Sequence, residues 1–434
     1  MKSLVYSILF GLSLSTAWAS AGLTRVEKTA SVNLEVEKDV NIEIDGSNTD
    51  MHIEIWDEPR IEIEAIFRYR GEKNSDKITE FLGQFQQHIE EGILQSPGAV
   101  RIETYRSLPE KVKLGVADFV ILQYTYSKDE VQLEYRIKMP AKGKVNIKHS
   151  YRKLRIDGTL DHLELSQYSG RLALDKVKEA KLSLKYGEAY LKRLEKGDVY
   201  LYENDLQAEQ IDELKLNIKY CQLRSRDIKT LDVEAYESEI ELQRLKAFSG
   251  NFKYSSLSAE RVKSFAVVSY ESRFKIKEVK SMNLSNSKYS RYDIDQVEQV
   301  NVEQAFEDRM RIKVLKAMNA GDSKYCKHEI DALDESYSLN GYESTVRIDK
   351  LSEAKGNISI NGKYMKVEIN TAEAIFDLIA NMRYGNIDYR KAAASGEISE
   401  NGNETIAKVR SIARKEGEGF NILIDGYEMK VELY

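Results

Sequence analysis

Proline, cysteine, histidine and long apolar runs are all scarce in this chain of 434 residues, and each scarcity removes a class of protein. The four prolines stand at 59, 97, 109 and 140, and none follows Pro140. Proline deletes a ladder hydrogen bond, so a proline-free stretch of this length suits continuous sheet. The five histidines, at 52, 88, 149, 162 and 328, form no HxxxH or HxH pair, and the two cysteines form no CxxC. A metal site of ordinary spacing therefore has no support, and no cofactor motif is present. Nothing resembling the GxSxG of a nucleophile elbow occurs either. No run reaches the eighteen or so apolar residues of a spanning helix. Charged residues make up 31% of the chain, yet the net charge is only −6. That balance argues against a nucleic-acid partner and for a well-solvated surface.

What is present begins with an export signal. Lys2 supplies the positive start, LVYSILFGLSL a short apolar run, and Ala17-Trp18-Ala19 or Ala19-Ser20-Ala21 a small-residue cleavage site. No Cys lies near that site, which argues against a lipoprotein anchor. The expectation is an exported chain without a transmembrane segment, in the periplasm or on the surface of a Gram-negative-type bacterium. Roughly 410 residues would remain after cleavage.

The loudest feature is a repeat. YESEIELQRLK begins at 236, YESRFKIKEVK at 270 and YESTVRIDKL at 342. Apolar residues close successive units at Leu160, Val177, Leu194, Ile211, Ile228, Leu245, Val262 and Val279 in steps of 17, then at Val297, Leu315, Leu333 and Leu351 in steps of 18. One aromatic sits inside each unit, from Tyr168 to Tyr342. A fixed frame held over so many units is the mark of an internal repeat. Within LDVEAYESEIELQRL, Leu231 and Val233 alternate with acids, and Ile240 and Leu242 alternate with glutamates. Period two is half-buried strand, not helix. Two short strands per unit make a coil of a β-solenoid, which buries its apolar side only against neighbouring coils.

The aromatic precedes the closure alternately by nine residues (YENDL, YESEI, YESRF) and by eight (KYCQL, KYSSL, KYSRY). Two readings follow: one unit per coil with a turn shape that alternates, or a larger four-strand coil of 34–36 residues.

The flanks differ from the repeat. Residues 31–70 hold alternating strands, and SDKITEFLGQFQQHIEE places Ile78, Leu82, Phe85 and Ile89 on one helical face, with Ser75 or Asp76 as N-cap. VRIETY, FVILQYTY and VQLEYRIKMP read as strands, as do AEAIFDLIANMRYGNIDY and GFNILIDGYEMKVELY around the polar SGEISENGNET. The predicted organisation is a signal peptide over 1–21, a β-rich region with one helix near 75–90 over 22–150, solenoid repeats over 151–370, and a β cap over 371–434.

The segment YRIKMPAKGKVNIKHSYRKLRIDGTLDHLELSQYSGRLALDKVKEAKLSLKYGEAYLKRL, a Pro-ended strand followed by strand–(Ser/Lys)-Tyr-Gly–strand units, resembles the bacterial putative-adhesin family of exported β-solenoid proteins. MHIEIWDEPRIEIEA resembles that family's opening strands and MRYGNIDY its closing units. The resemblance implies an all-β, right-handed β-helix with one 17–18-residue unit per coil, and an adhesin-like envelope protein of unknown function. It carries over no catalytic residue. Gly follows the tyrosine only at 187 and 385, a departure from the family's pattern that leaves the turn of the other coils open.

Two columns are the candidate ligand-facing surfaces. Stacked coils set equivalent residues about 4.8 Å apart. Tyr202, Tyr236 and Tyr270 therefore stand in a column that either stiffens a turn or offers an exposed aromatic strip to a sugar or a partner. Lys229, Lys246, Lys263 and Lys280 follow four consecutive closures. They repel one another or hold an anionic polymer, with Asp227, Glu260 and Glu278 near enough to screen them. The reading is a non-enzymatic structural or interaction protein of the envelope, binding through a solenoid face; the alternative is a carbohydrate-binding or lyase-type β-helix. Cys221 and Cys326 both follow a tyrosine and lie six units apart, about 29 Å, so both thiols are expected to be free in the monomer, or to bridge between molecules.

Overall fold

Strand pairing turns the repeat into a register. The structure, a computed structural model, describes residues 23–72, 76–104, 130–352, 355–372, 374–412 and 419–434. The export signal and the strand read at FVILQYTY fall outside the described residues. The protein is a β-solenoid with coils of roughly 18 residues, and the described residues include one helix, Asp76–Glu91. The chain divides into two compact units between Glu213 and Leu214.

In the first unit, Asn41–Ser47 and Asp50–Trp56 form a coil that pairs in parallel with Lys144–Ser150 and the start of Lys153–Lys219. Ile44 aligns with Ile147 and Ile53 with Ile156, all buried. The strand before this coil and two strands after it build an antiparallel ribbon, Leu23–Glu35 on Arg60–Glu72 on Glu130–Pro140. The helix lies beside it because Phe85 and Ile89 are buried, Phe85 packing on Phe67 at 6.0 Å. Leu82 is half-buried at the helix margin. Ser75 and the side chains of Asp76 and Ile78 lie outside the described residues.

In the second unit, from Gln222–Tyr236 to Lys327–Tyr342, each strand pairs with the next in parallel. Gln222–Tyr236, Glu239–Lys253, Ser256–Tyr270 and Arg273–Lys288 are related by offsets of 17, as in Leu245↔Val262. From Arg273↔Arg291 to Leu315↔Leu333 the offset is 18. The extra residue enters at a bulge: Val267 aligns with Leu284 and Val268 with Asn286, leaving Ser285 unpaired. One unit is therefore one coil, and the four-strand alternative is excluded. Leu245 and Val262 point inward with 4% and 2% of their surface exposed, as the closure pattern requires. Aromatic pairs fill the column beneath them, Phe248 stacked on Phe265 at 4.9 Å and Phe274 on Tyr292 at 5.0 Å.

The C-terminal end does not stack in chain order. Phe420–Tyr427 and Lys430–Leu433 insert between the coil of Gly356–Lys363 and Lys366–Ile369 and the coil of Phe376–Arg383 and Asn386–Asp388. The polar stretch SGEISENGNET falls in a hairpin, Ala394–Asn401 with Glu404–Ser411, that pairs antiparallel along Phe376–Arg383. That hairpin covers an edge that would otherwise present unpaired backbone groups.

Candidate binding surface

One corner of the coils turns through a residue in the left-handed region, joined after Tyr168 by a second, Ser169 with Gly170. In the second unit it is Tyr220, Glu237, Tyr254, Glu271, Tyr289, Glu307, Tyr325, Glu343 and Tyr364, with φ between +43° and +59°. A non-glycine residue held there costs roughly 1–2 kcal/mol, so the surrounding structure must impose it. Backbone bonds between coils do so: Tyr254 N–H donates to the Tyr270 carbonyl and Glu271 N–H to that of Lys288. The turn shape therefore does not alternate. What alternates is the residue that carries the ring.

In the Lys-Tyr coils the left-handed residue is itself the tyrosine; in the Tyr-Glu coils the ring sits one residue earlier. The register accordingly runs Tyr236↔Lys253, Lys253↔Tyr270, Tyr270↔Lys288. Rings from the two positions meet edge to face, Tyr220–Tyr236 at 5.6 Å, Tyr236–Tyr254 at 5.8 Å and Tyr254–Tyr270 at 5.5 Å, and the pattern continues through Phe306 to Tyr364, Tyr427 and Tyr384. Edge-to-face contact is the arrangement aromatic quadrupoles prefer. The alternation also sets like charges two coils apart, about 9.6 Å, instead of one. The first unit has its own series, Tyr151–Tyr168–Tyr186–Tyr202, at 5.1 to 5.6 Å.

The predicted tyrosines belong to these series and are half-buried: Tyr202 in the first unit, Tyr236 and Tyr270 in the second. The more exposed rings are those of the Lys-Tyr coils, such as Tyr254 at 45%. Hydrogen bonds to Glu237 and Glu271 push the Tyr236 and Tyr270 hydroxyls up to about 12, because the carboxylates favour the protonated phenol. The column is thus both a turn stiffener and an exposed strip.

Behind the rings runs a polar ladder that explains the third letter of YES. Ser238, Ser255, Ser272 and Ser290 are buried just after the turn. Each hydroxyl donates to the carbonyl two residues back, as Ser255 Oγ to Lys253 at 2.8 Å. Each also accepts from the coil before, as from Ser238 N–H at 3.1 Å. Cys221 and Cys326 occupy rungs of this ladder, buried and unpaired by any disulfide, six rungs apart as the repeat requires. Asp308 occupies another and accepts from Ser290 N–H at 2.8 Å. These residues were legible as a recurring serine, but their role depends on the neighbouring coil.

The lysines Lys246, Lys263 and Lys280 are exposed on consecutive coils. The acids that the sequence offered as their screen are engaged elsewhere. Asp227 binds Arg244 at 2.6 Å, Glu260 binds Lys277 at 2.8 Å and Glu278 binds Arg261 at 3.2 Å. Lys229 stands in the same column and has an interaction of its own.

A second polar group lies inside the coils. The Tyr292 hydroxyl shares hydrogen bonds with Ser269 and Ser287 at 2.7 and 2.8 Å, and His328 Nδ1 bonds the Tyr337 hydroxyl at 2.7 Å. Burial pushes the His328 imidazole down to about 4, the Asp308 carboxyl up to about 6 and the Cys326 thiol up to about 12. A thiol held protonated and buried is inert, so this group serves the core.

No family model matches the chain, and no curated protein matches it. Solved structures similar to it include the following two. A putative cell adhesion protein from Clostridium sporogenes is 8% identical, over 94% of this chain and 100% of that one, with a TM-score of 0.17. A putative lipid binding protein from Parabacteroides distasonis is 11% identical, over 79% of this chain and 96% of that one, also at 0.17. Scores of that size carry no argument; the solenoid assignment stands on the strand register.

Proposed function

We propose that the chain is an exported cell-envelope interaction protein, adhesin-like in that it holds a partner along one side of its coils and catalyses nothing. The observation that carries this reading is the corner itself: exposed tyrosines such as Tyr220, Tyr254 and Tyr289 recur on alternate coils between rows of Lys and Glu. Equal subsites repeated along one line add up by effective concentration, so weak contacts give firm attachment. Export rests on the N-terminal signal, and the compartment is the periplasm or cell surface of a Gram-negative-type bacterium.

Co-sedimentation of the purified chain with isolated bacterial envelopes tests the reading. Wild type should pellet with envelopes, and the triple variant Tyr220→Ser, Tyr254→Ser, Tyr289→Ser should pellet less. A wild-type chain left in the supernatant sinks the adhesin reading, and a triple variant that pellets as well as wild type removes the corner from it. Export is checked by sequencing the N-terminus of the protein from expressing cells, where an intact Met1 argues against it.

A further inference from the structure

From the coil that closes at Leu245 onward, the outward positions that lie two or more residues beyond the closure are nearly without charge, whereas the coil before carries Asp232 and Glu234 there. The central column reads Ser249, Ala266, Asn283, Asn301, Asn319 and Ser338, then Ser359, in unbroken register. The column toward the tyrosine corner holds Asn251, Val268 and Asn286, then Gln304, Asp322, Asn340 and Asn361. The column on the other side holds Ala247, Ser264, Ser281 and Gln299, then Ala317, Ser336 and Asn357. Asp322 is the one charged residue in these columns, and the exposed Glu303 stands beside them. In a chain with 31% charged residues such a blank surface needs a reason.

Solubility alone does not call for it, since the other side of the same coils is solvated by charges. Depletion of charge is what distinguishes the core of a binding surface. A buried amide or hydroxyl repays its desolvation with one good hydrogen bond, whereas a buried charge needs a partner of opposite sign. The ladder of Lys253, Tyr270, Lys288 and Phe306 borders these columns two residues further along the strands. Amides and hydroxyls beside aromatic rings match a ligand that has many hydroxyls, apolar C–H faces and no net charge. Within the columns a polyanion would meet no cation, because the row of Lys246, Lys263 and Lys280 lies at their edge and gives way to Glu298 on the next coil, and a membrane would meet almost no apolar side chain. Because the columns run from coil to coil over about 29 Å, the ligand is itself extended and repetitive.

We infer that this neutral face, from Ala247 to Asn361, binds a linear uncharged polysaccharide laid across the coils, with the tyrosine corner as its aromatic margin. The inference deepens the adhesin-like reading and rests on it.

Affinity electrophoresis of the full chain in native gels containing hydroxyethylcellulose, dextran or linear mannan tests it, with polygalacturonate as the anionic control. At least one neutral polymer should retard the wild type, and high salt, which screens ionic contacts, should leave that retardation unchanged. Asn283→Asp, Asn301→Asp and Asn319→Asp should each weaken it by about tenfold, equivalent to about 1.4 kcal/mol, and Lys275→Asp on the charged side should not. These side chains point outward, and unchanged circular dichroism confirms that the variants fold. Retardation by polygalacturonate alone, or by none of the neutral polymers, overturns the inference. So does self-association of the wild type that the Asp variants abolish, since a second copy would then be the occupant. A chain that pellets with envelopes but ignores every neutral polymer overturns the polysaccharide alone; a chain that does neither overturns the adhesin reading as well.

Discussion

Before the closure, the outward charged residues of two coils are Arg273, Lys275, Lys277 and Glu278, and Arg309, Arg311 and Lys313; after it, in the same strands, a single lysine (Lys280 or Lys316) gives way to Ser281 and Asn283, and to Ala317 and Asn319. The two sides share one backbone, one register and one core, so surface charge is not what the fold requires. Stacking sets equivalent side chains about 4.8 Å apart, where two like charges repel by about 1 kcal/mol even at the dielectric constant of water. The charged side answers with opposite charges on neighbouring coils, as in Lys313 with Asp295 at 2.7 Å and Lys277 with Glu260 at 2.8 Å. The neutral side answers with amides, as where Asn319 Nδ2 donates to Asn301 Oδ1 at 3.4 Å. The tyrosine corner uses a third solution, alternating Lys and Glu by residue position. Column repulsion is one constraint met in three ways, and only the neutral way leaves a surface that can be desolvated at low cost.

The largest effect expected is on what the two sides share. Leu245→Ala empties part of the core under both and should cost about 2–5 kcal/mol in denaturant melts. Since coils couple mainly to their neighbours, the loss should appear as early local unfolding. A variant that melts like wild type would mean that the pairing of Leu245 with Val262 is wrong.

The next effect separates hidden charge from surface charge. Asp308 titrates near 6 in the fold against an ordinary 3.8, so its folded form favours the proton. Its contribution is complete below about pH 4 and is lost as pH rises through 6. His328 runs the other way: with a folded value near 4 against 6.5, its contribution is complete above 6.5 and is lost as pH falls toward 4. Asp308→Asn keeps an acceptor for the Ser290 N–H and should stabilise the protein by about 3 kcal/mol at pH 8, with no gain at pH 4. Thermal melts across that range check it, and a gain independent of pH would contradict the assignment.

Smaller again is a rung of the serine ladder. Ser255→Ala leaves the buried Ser238 N–H without its acceptor and should cost about 1–3 kcal/mol. Ser255→Thr, which keeps the hydroxyl, should recover part of that loss in the same urea melts.

The smallest effect belongs to the charged side. Arg244→Ala removes the contact with Asp227, an exposed pair of a kind whose loss is commonly undetectable. Its melting temperature should match wild type, and a clear drop would show that the ion pairs of this side hold the coils together.

The amino-acid sequence by itself determined the coil. Closures at Leu245, Val262 and Val279 set its length, and period two set which residues face in, because a strand offers only two sides and water selects between them. The tyrosine series was legible for the same reason. Its edge-to-face packing was not, because one coil's letters do not show that the ring shifts by one position on the next. The neutral face is not legible in the sequence, because an absence of charge has no local signal; it emerges only when Asn283, Asn301 and Asn319 are brought side by side. Tertiary structure alone decided which coils are neighbours. Asn41–Trp56 stacks on a strand pair that begins at Lys144, and Phe420–Leu433 slips between two coils that precede it in the chain. The physical reason is that a repeating pattern makes coils nearly interchangeable. Periodicity fixes the shape of each layer, and only the contacts between particular layers fix their order.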